Sequence, residues 1–165
     1  MKKVSDNMKI KILAVGKIKE KYLQEGIAEY SKRISRYVKL EFVEVSDLKA
    51  PENISDADKE NIKNKEGESL LKKIGDDYVV ALCINGNEYD SISFAKKLQD
   101  TFDHGNSDIS FIIGGSLGLS EDVIKRASAT VSFSKLTFPH QLMRLILLEQ
   151  IYRSMKINNN EPYHK

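Results

Sequence analysis

Residues 109–121 read Ile-Ser-Phe-Ile-Ile-Gly-Gly-Ser-Leu-Gly-Leu-Ser-Glu. The run 109–113 is short and nearly all apolar, which predicts a strand buried on both faces. Gly114-Gly115 ends it, and a helix is expected over 121–128. A strand of this kind needs a layer of helices on each side, the condition met by a parallel sheet.

The same reading extends in both directions. Upstream, 78–84 is a second continuous apolar run closed by a turn at Asn85-Gly86, and a helix is expected over 93–102. Downstream, 129–133 reads as the last strand and 139–155 as a strongly apolar helix. Nearer the start, 10–15 is an apolar run interrupted by Lys11, 40–45 alternates, and 19–37 has apolar residues at spacings of three and four with a basic outer face. The polar stretch 47–58 holds Pro51 and is expected to be a loop, with Ser55 and Asp58 spaced like a capping box ahead of a charged helix that ends near Gly75. Strands thus alternate with helices five times, the pattern of an α/β fold with a parallel sheet and helices on both faces. There is no repeat and no interdomain linker, so 8–165 is expected to form one domain. Met8 is a second plausible start, which would make 1–7 an N-terminal extension.

The chain has 165 residues, 41% hydrophobic and 30% charged, enough to build a core without metal or disulfide. No apolar run reaches the roughly 20 residues of a membrane helix, and the N-terminus lacks the apolar core of a secretory signal. A single cysteine, Cys83, cannot form an internal disulfide, which fits the reducing cytoplasm. The net charge is only +2, but it is unevenly spread. Residues 1–37 carry ten Lys/Arg against four acids, and 132–165 carry five against two, while the middle is acidic. If the two ends meet, they form a positive surface suited to phosphates; taken singly they are solvated helix faces.

Ligands of parallel α/β sheets bind beyond the carboxyl ends of the strands. Three such ends are unusual: 82–86 (Leu-Cys-Ile-Asn-Gly), 113–118 (Ile-Gly-Gly-Ser-Leu-Gly) and 133–140 (Phe-Ser-Lys-Leu-Thr-Phe-Pro-His). The second is neither a G-x-G-x-x-G dinucleotide turn nor a P-loop. It serves either as a tight turn or as a backbone surface that a ligand can approach closely. Pro139 suits the first turn of a helix, and His140 and Arg144, four apart, share one helix face. The helix beyond is apolar nearly all round, which points to burial, and a homodimer interface is expected there. The tail Tyr163-His164-Lys165 combines an aromatic, an imidazole and a cation, suited to a nucleobase and its phosphate, or else is a frayed end.

Together, ILAVGK, FIIGGSLGLS, SFSKLTFPHQLMR, EQIYR and the terminal YHK resemble the ribosomal RNA large subunit methyltransferase H family of the SPOUT class of α/β-knot methyltransferases. The resemblance runs from Met8 to Lys165. It departs at Leu117, where relatives often carry a polar residue, and in the additional residues 1–7. It implies a C-terminal trefoil knot and a homodimer with its site between subunits. It also implies S-adenosylmethionine held at Leu82, Gly114 and the run Phe133, Ser134, Lys135, Leu136, Thr137 and Phe138. The reaction implied is methylation of N3 of a pseudouridine in helix 69 of 23S rRNA, without metal and without a membrane.

That chemistry sets requirements. N3 of a uracil-type ring carries an imide proton that must leave, so a base is needed. His164 is the first candidate and His140 the second. Arg144 and Lys165 would hold phosphates or balance charge on the ring oxygens, and Tyr163 would abut the base. A small domain with no added RNA-binding module has little surface with which to select its RNA, so the assembled ribosome is the expected substrate. The alternatives are a transfer RNA methyltransferase of the same class and a non-catalytic nucleotide-binding domain.

Overall fold

The computed structural model describes residues 7–165, so all but the last of the expected N-terminal extension lies outside the described residues. Five strands form one parallel sheet: β1 (Lys9–Val15), β2 (Lys39–Val45), β3 (Tyr78–Glu88), β4 (Asp108–Ile113) and β5 (Ala129–Ser132). They lie in the order β2-β1-β4-β3-β5. Helices α1 (Lys21–Ile34), α2 (Asp56–Leu71), α3 (Ser91–Asp103), α4 (Glu121–Arg126) and α5 (His140–Asn158) follow the strands in turn. The pattern of elements is the one the alternation required.

Strand periodicity divides the core into two layers. Ile10, Ile12, Ile109 and Phe111 point to one face, with Leu147 and Ile151 of α5. Leu13, Val15 and Ile112 point to the other, against Leu70 of α2 and Val123 of α4. Lys11, which interrupts the apolar run of β1, has its own partner. Its Nζ donates to Asp77 Oδ2 at 3.0 Å, and Ser110 Oγ donates to the same oxygen at 2.6 Å. A cation amid a buried strand is tolerated because it is neutralised and hydrogen-bonded there.

Helix α5 departs from a simple winding. After the edge strand β5, the chain returns to the middle of the sheet and lays α5 against both α1 and α3. Leu147, Leu148 and Ile151 are fully buried there, each burial stabilising by about 1.5–3 kcal/mol. The apolar character that suggested a subunit interface is therefore largely used within the chain. Pro139 stands just before the helix as its N-cap rather than inside the first turn.

At one element boundary the cap expected from the sequence is present, and at another the chain departs from the sequence reading in an informative way. Ser55 caps α2 by accepting from Asp58 N at 3.1 Å, so the helix starts at Asp56. At Asn85-Gly86, the expected turn is part of an extended strand. β3 breaks register after Leu82 and resumes against β5 with Asn87 opposite Val131 and Glu88 opposite Ser132. A Cβ on Gly86 would lie 2.7 Å from the backbone N and C of Val131. Only glycine permits that approach. Gly86→Ala is expected to lower stability by about 1–3 kcal/mol, measured as a lower urea midpoint with unchanged slope; an unaltered midpoint would mean that the two backbones separate freely.

Candidate functional site

The carboxyl ends of β3, β4 and β5 enclose a cleft of about 240 Å³. Leu82, Gly114, Phe133, Ser134, Leu136, Thr137 and Phe138 all line it, so the three stretches singled out by their sequence converge. Lys135 does not: its side chain is exposed and lies outside the lining. Leu117 is likewise outside it, while Gly118 and Leu119 contribute.

The walls are built by local backbone chemistry. Gly118 has φ +85°, the left-handed region, and its N–H bonds to Gly115 O at 3.0 Å, which closes the glycine loop on itself. A Cβ on Gly114 would strike the carbonyl carbon of Gly118 at 2.7 Å. The glycine is thus required by the loop's own fold, whatever ligand the loop holds. The segment after β5 is stapled by hydroxyls: Ser132 Oγ donates to Ser134 O at 3.0 Å, and Leu136 N donates to Ser134 Oγ at 2.9 Å. Ser120 caps α4 by accepting from Val123 N.

The lining is apolar apart from backbone groups, the hydroxyls of Ser132, Ser134 and Thr137, the Cys83 thiol and the His140 imidazole. Burial pushes the Cys83 thiol above its ordinary value, the opposite of an activated thiolate. Burial pushes His140 down, partly opposed by nearby Asp47 and reinforced by Arg144. Among the described residues, no lysine, arginine or carboxylate lines the cleft.

Arg144 is placed otherwise than expected. It is 3% exposed, and its guanidinium donates to Glu44 Oε2 at 2.8 Å, Val15 O at 2.9 Å and Gly16 O at 2.7 Å. It ties α5 to the ends of β1 and β2; its Nε has no partner but is buried, so the side chain offers no exposed face to a phosphate. A second residue of this kind was not legible in the sequence. Glu66 of α2, 4% exposed, accepts from Leu48 N at 3.2 Å, and burial followed by the neighbouring Asp47 raises its carboxyl.

The tail is ordered against α5 rather than in the cleft. Tyr163 donates to Glu149 Oε1 at 3.0 Å and packs edge-on against Tyr152. Arg153 joins them, bonded to Glu149 and stacked over Tyr163. His164 Nδ1 lies 3.0 Å from Arg153 Nη1. It lines a second cavity of about 510 Å³, on which Phe133 and Phe138 also border. Within one chain, then, His140 belongs to the cleft, His164 lies beyond the Phe133/Phe138 wall, and Lys165 is exposed. Tyr163 spends its ring on protein contacts. The two basic ends do meet, α1 against α5, but there Arg33, Arg153 and Lys156 are paired with Glu29, Glu149 and Glu161.

Arg144→Ala should cost about 2–4 kcal/mol of stability, since it strips partners from two backbone carbonyls and a carboxylate; thermal unfolding measures it, and an unchanged midpoint would return Arg144 to a substrate role. The lowered His140 value means that its protonation opposes folding. Stability should fall as pH drops through the unfolded value near 6.5, the loss being complete below the folded value. His140→Gln should flatten that part of the urea-stability profile.

Comparison with known proteins agrees with this architecture. A family model described as "Predicted SPOUT methyltransferase" matches residues 8–164. The ribosomal RNA large subunit methyltransferase H of an Exiguobacterium species is 59% identical over 159 residues, covering 96% of this chain and all of the relative. That of Latilactobacillus sakei is 57% identical with the same coverage. Among solved structures, one described as a probable methyltransferase from Bordetella pertussis superposes with a TM-score of 0.56 at 9% identity, covering 92% of this chain and 97% of that one, a likeness of fold. End-to-end similarity at this level, on a parallel sheet whose carboxyl edge holds one backbone-lined cleft, leads to the conclusion that this chain belongs to the ribosomal RNA large subunit methyltransferase H family of SPOUT methyltransferases.

Proposed function

We propose that the chain methylates N3 of a pseudouridine in helix 69 of 23S rRNA, on the assembled ribosome in the cytoplasm, with S-adenosylmethionine bound in the cleft between β3, β4 and β5. The observation that carries the choice of donor is the lining itself. It offers apolar walls for an adenine, backbone groups at three strand ends, and no cation. A dinucleotide or nucleoside triphosphate would bury phosphates with nothing to neutralise them, whereas a phosphate-free sulfonium compound meets no such penalty. Leu82, Gly114, Leu119 and the Phe133–Phe138 segment would hold it. When bound, it supplies an electrophilic methyl group.

The chain's own residues do the rest. The walls exclude water and fix the direction of attack. The imide proton goes to a base within reach, and we assign it to His140, which lines the cleft and whose charged form burial disfavours. This reverses the order of candidates taken from the sequence, because His164 faces the other cavity. The tail still has a part if the enzyme is a homodimer. Ile84, Ile92 and Leu136 stay 49%, 60% and 71% exposed around the two cavities, more apolar surface than a rim needs. A second copy seated there would bring a tail to the cleft, where His164 and Lys165 of the partner subunit would face the RNA. The C-terminal knot belongs to the same reading, supported by the return of α5 to the middle of the sheet after the edge strand.

Calorimetry should show binding of S-adenosylmethionine and none of NAD or ATP. Mass spectrometry of ribosomal RNA from cells lacking the gene should show one pseudouridine in helix 69 short of a methyl group. Purified 70S ribosomes from those cells should be methylated at least tenfold faster than naked rRNA. A missing methyl group in transfer RNA instead would overturn the substrate assignment, and binding of NAD or ATP alone would overturn the donor.

A further inference from the structure

A methyl-donor cleft without a cation cannot itself hold an RNA backbone, so the phosphates must be gripped elsewhere on the same edge. We infer that the β1–α1 loop, through Lys17, Lys19 and Lys21 with Tyr22, is the surface that grips the ribosomal RNA strand beside the target nucleotide. This rests on the ribosomal RNA reading above.

The loop lies in the right place. It leaves the carboxyl end of β1, which pairs with β4, the strand that feeds the glycine loop. The end of β1 lies beside the glycine loop: a Cβ added to Gly115 would be 3.2 Å from Cγ1 of Val15, the last residue of β1. From the other side, Arg144 holds the carbonyls of Val15 and Gly16 one helical turn from His140. The loop is also braced. Gly16 N donates to Val45 O at 2.8 Å, and Gln24 Nε2 donates to Ile18 O at 2.8 Å. Its backbone is thus fixed while its lysine side chains point into solvent.

The lysines are available. Among the described residues, Lys17 and Lys19 have no carboxylate within 4.0 Å. Lys21 is 87% exposed and has only Glu25, at 3.9 Å. Glu20 is the one acid within the stretch. This separates the loop from the basic seam between α1 and α5, where Arg33, Arg153 and Lys156 are already paired with carboxylates and stacked on tyrosine rings. Tyr22 is the second element. It is 66% exposed, in the first turn of α1, among lysines. An aromatic ring with no packing duty beside several cations is the chemistry of a platform for an unstacked base and its flanking phosphates. An enzyme that works on a ring nitrogen must take its nucleotide out of the stack, which leaves neighbouring bases to be held.

The test uses the intact enzyme and purified 70S ribosomes lacking the modification. In the variant Lys17→Glu, Lys19→Glu, Lys21→Glu, S-adenosylmethionine affinity by calorimetry and the unfolding midpoint should stay unchanged. KM for ribosomes should rise at least tenfold with little change in kcat. The slope of log affinity against log salt should become shallower by about two, at about 0.7 for each phosphate no longer neutralised. Tyr22→Ala alone should weaken ribosome binding roughly tenfold without altering the salt slope. A triple variant with wild-type KM and salt slope would overturn the proposal and leave the ribosomal RNA reading intact. If the wild-type enzyme methylates neither ribosomes nor rRNA, that reading fails, and this one with it. Loss of self-association in Tyr22→Ala by sedimentation would make the ring a subunit contact and overturn its assignment to RNA.

Discussion

The buried guanidinium of Arg144 sets the geometry on which the site depends. One side chain, reaching from the first turns of α5, holds the last carbonyls of β1 and the carboxylate of Glu44 at the end of β2. Those bonds fix where α5 begins, and α5 begins with His140 in the cleft wall. They also fix the origin of the β1–α1 loop. The two terminal nitrogens of this deep guanidinium are satisfied by oxygens brought to them by the fold, while Nε is buried without a partner; a buried charge left wholly unpaired would be costly. The arginine therefore acts less as a ligand-binding group than as the joint that aligns helix, strand end and loop.

The cleft combines apolar side-chain walls with a backbone shaped at a few positions. Its specific features are a left-handed glycine, a glycine whose Cβ would meet its own loop, and two serines spent on shaping the segment that follows β5. Side chains supply apolar walls, and one imidazole, that of His140, stands among them. Charge is kept out of the cleft and placed around it. This division suits a cationic methyl donor held out of water while a polyanionic substrate stays on the surface.

Much of this architecture is legible in the amino-acid sequence. The apolar runs in 78–84 and 109–113, short and bounded by Asn-Gly or Gly-Gly, read as strands covered on both sides, and their alternation with helical segments gives the parallel sheet. The glycine loop and the 133–138 segment stand out because such sequences have no business at an ordinary strand end. What stays hidden is what depends on partners distant in sequence. Arg144 reads as an exposed cation four residues from a histidine, since nothing in the helix announces Glu44 or the end of β1. Asn85-Gly86 reads as a turn, since the backbone that makes Gly86 obligatory belongs to β5. The tail reads as free to meet RNA, yet Glu149, Arg153 and Tyr152 occupy its tyrosine. Glu66 gives no signal within a charged helix.

The pairing of Asn87 and Glu88 with Val131 and Ser132 also bears on when the enzyme comes into being. The wall that carries Leu82 takes its final course only around a strand made much later, and the opposite wall needs the start of α5. A nascent chain emerging from the translating ribosome therefore has no such cleft until β5 and the start of α5 have both been made and can pack back onto β3 and β4.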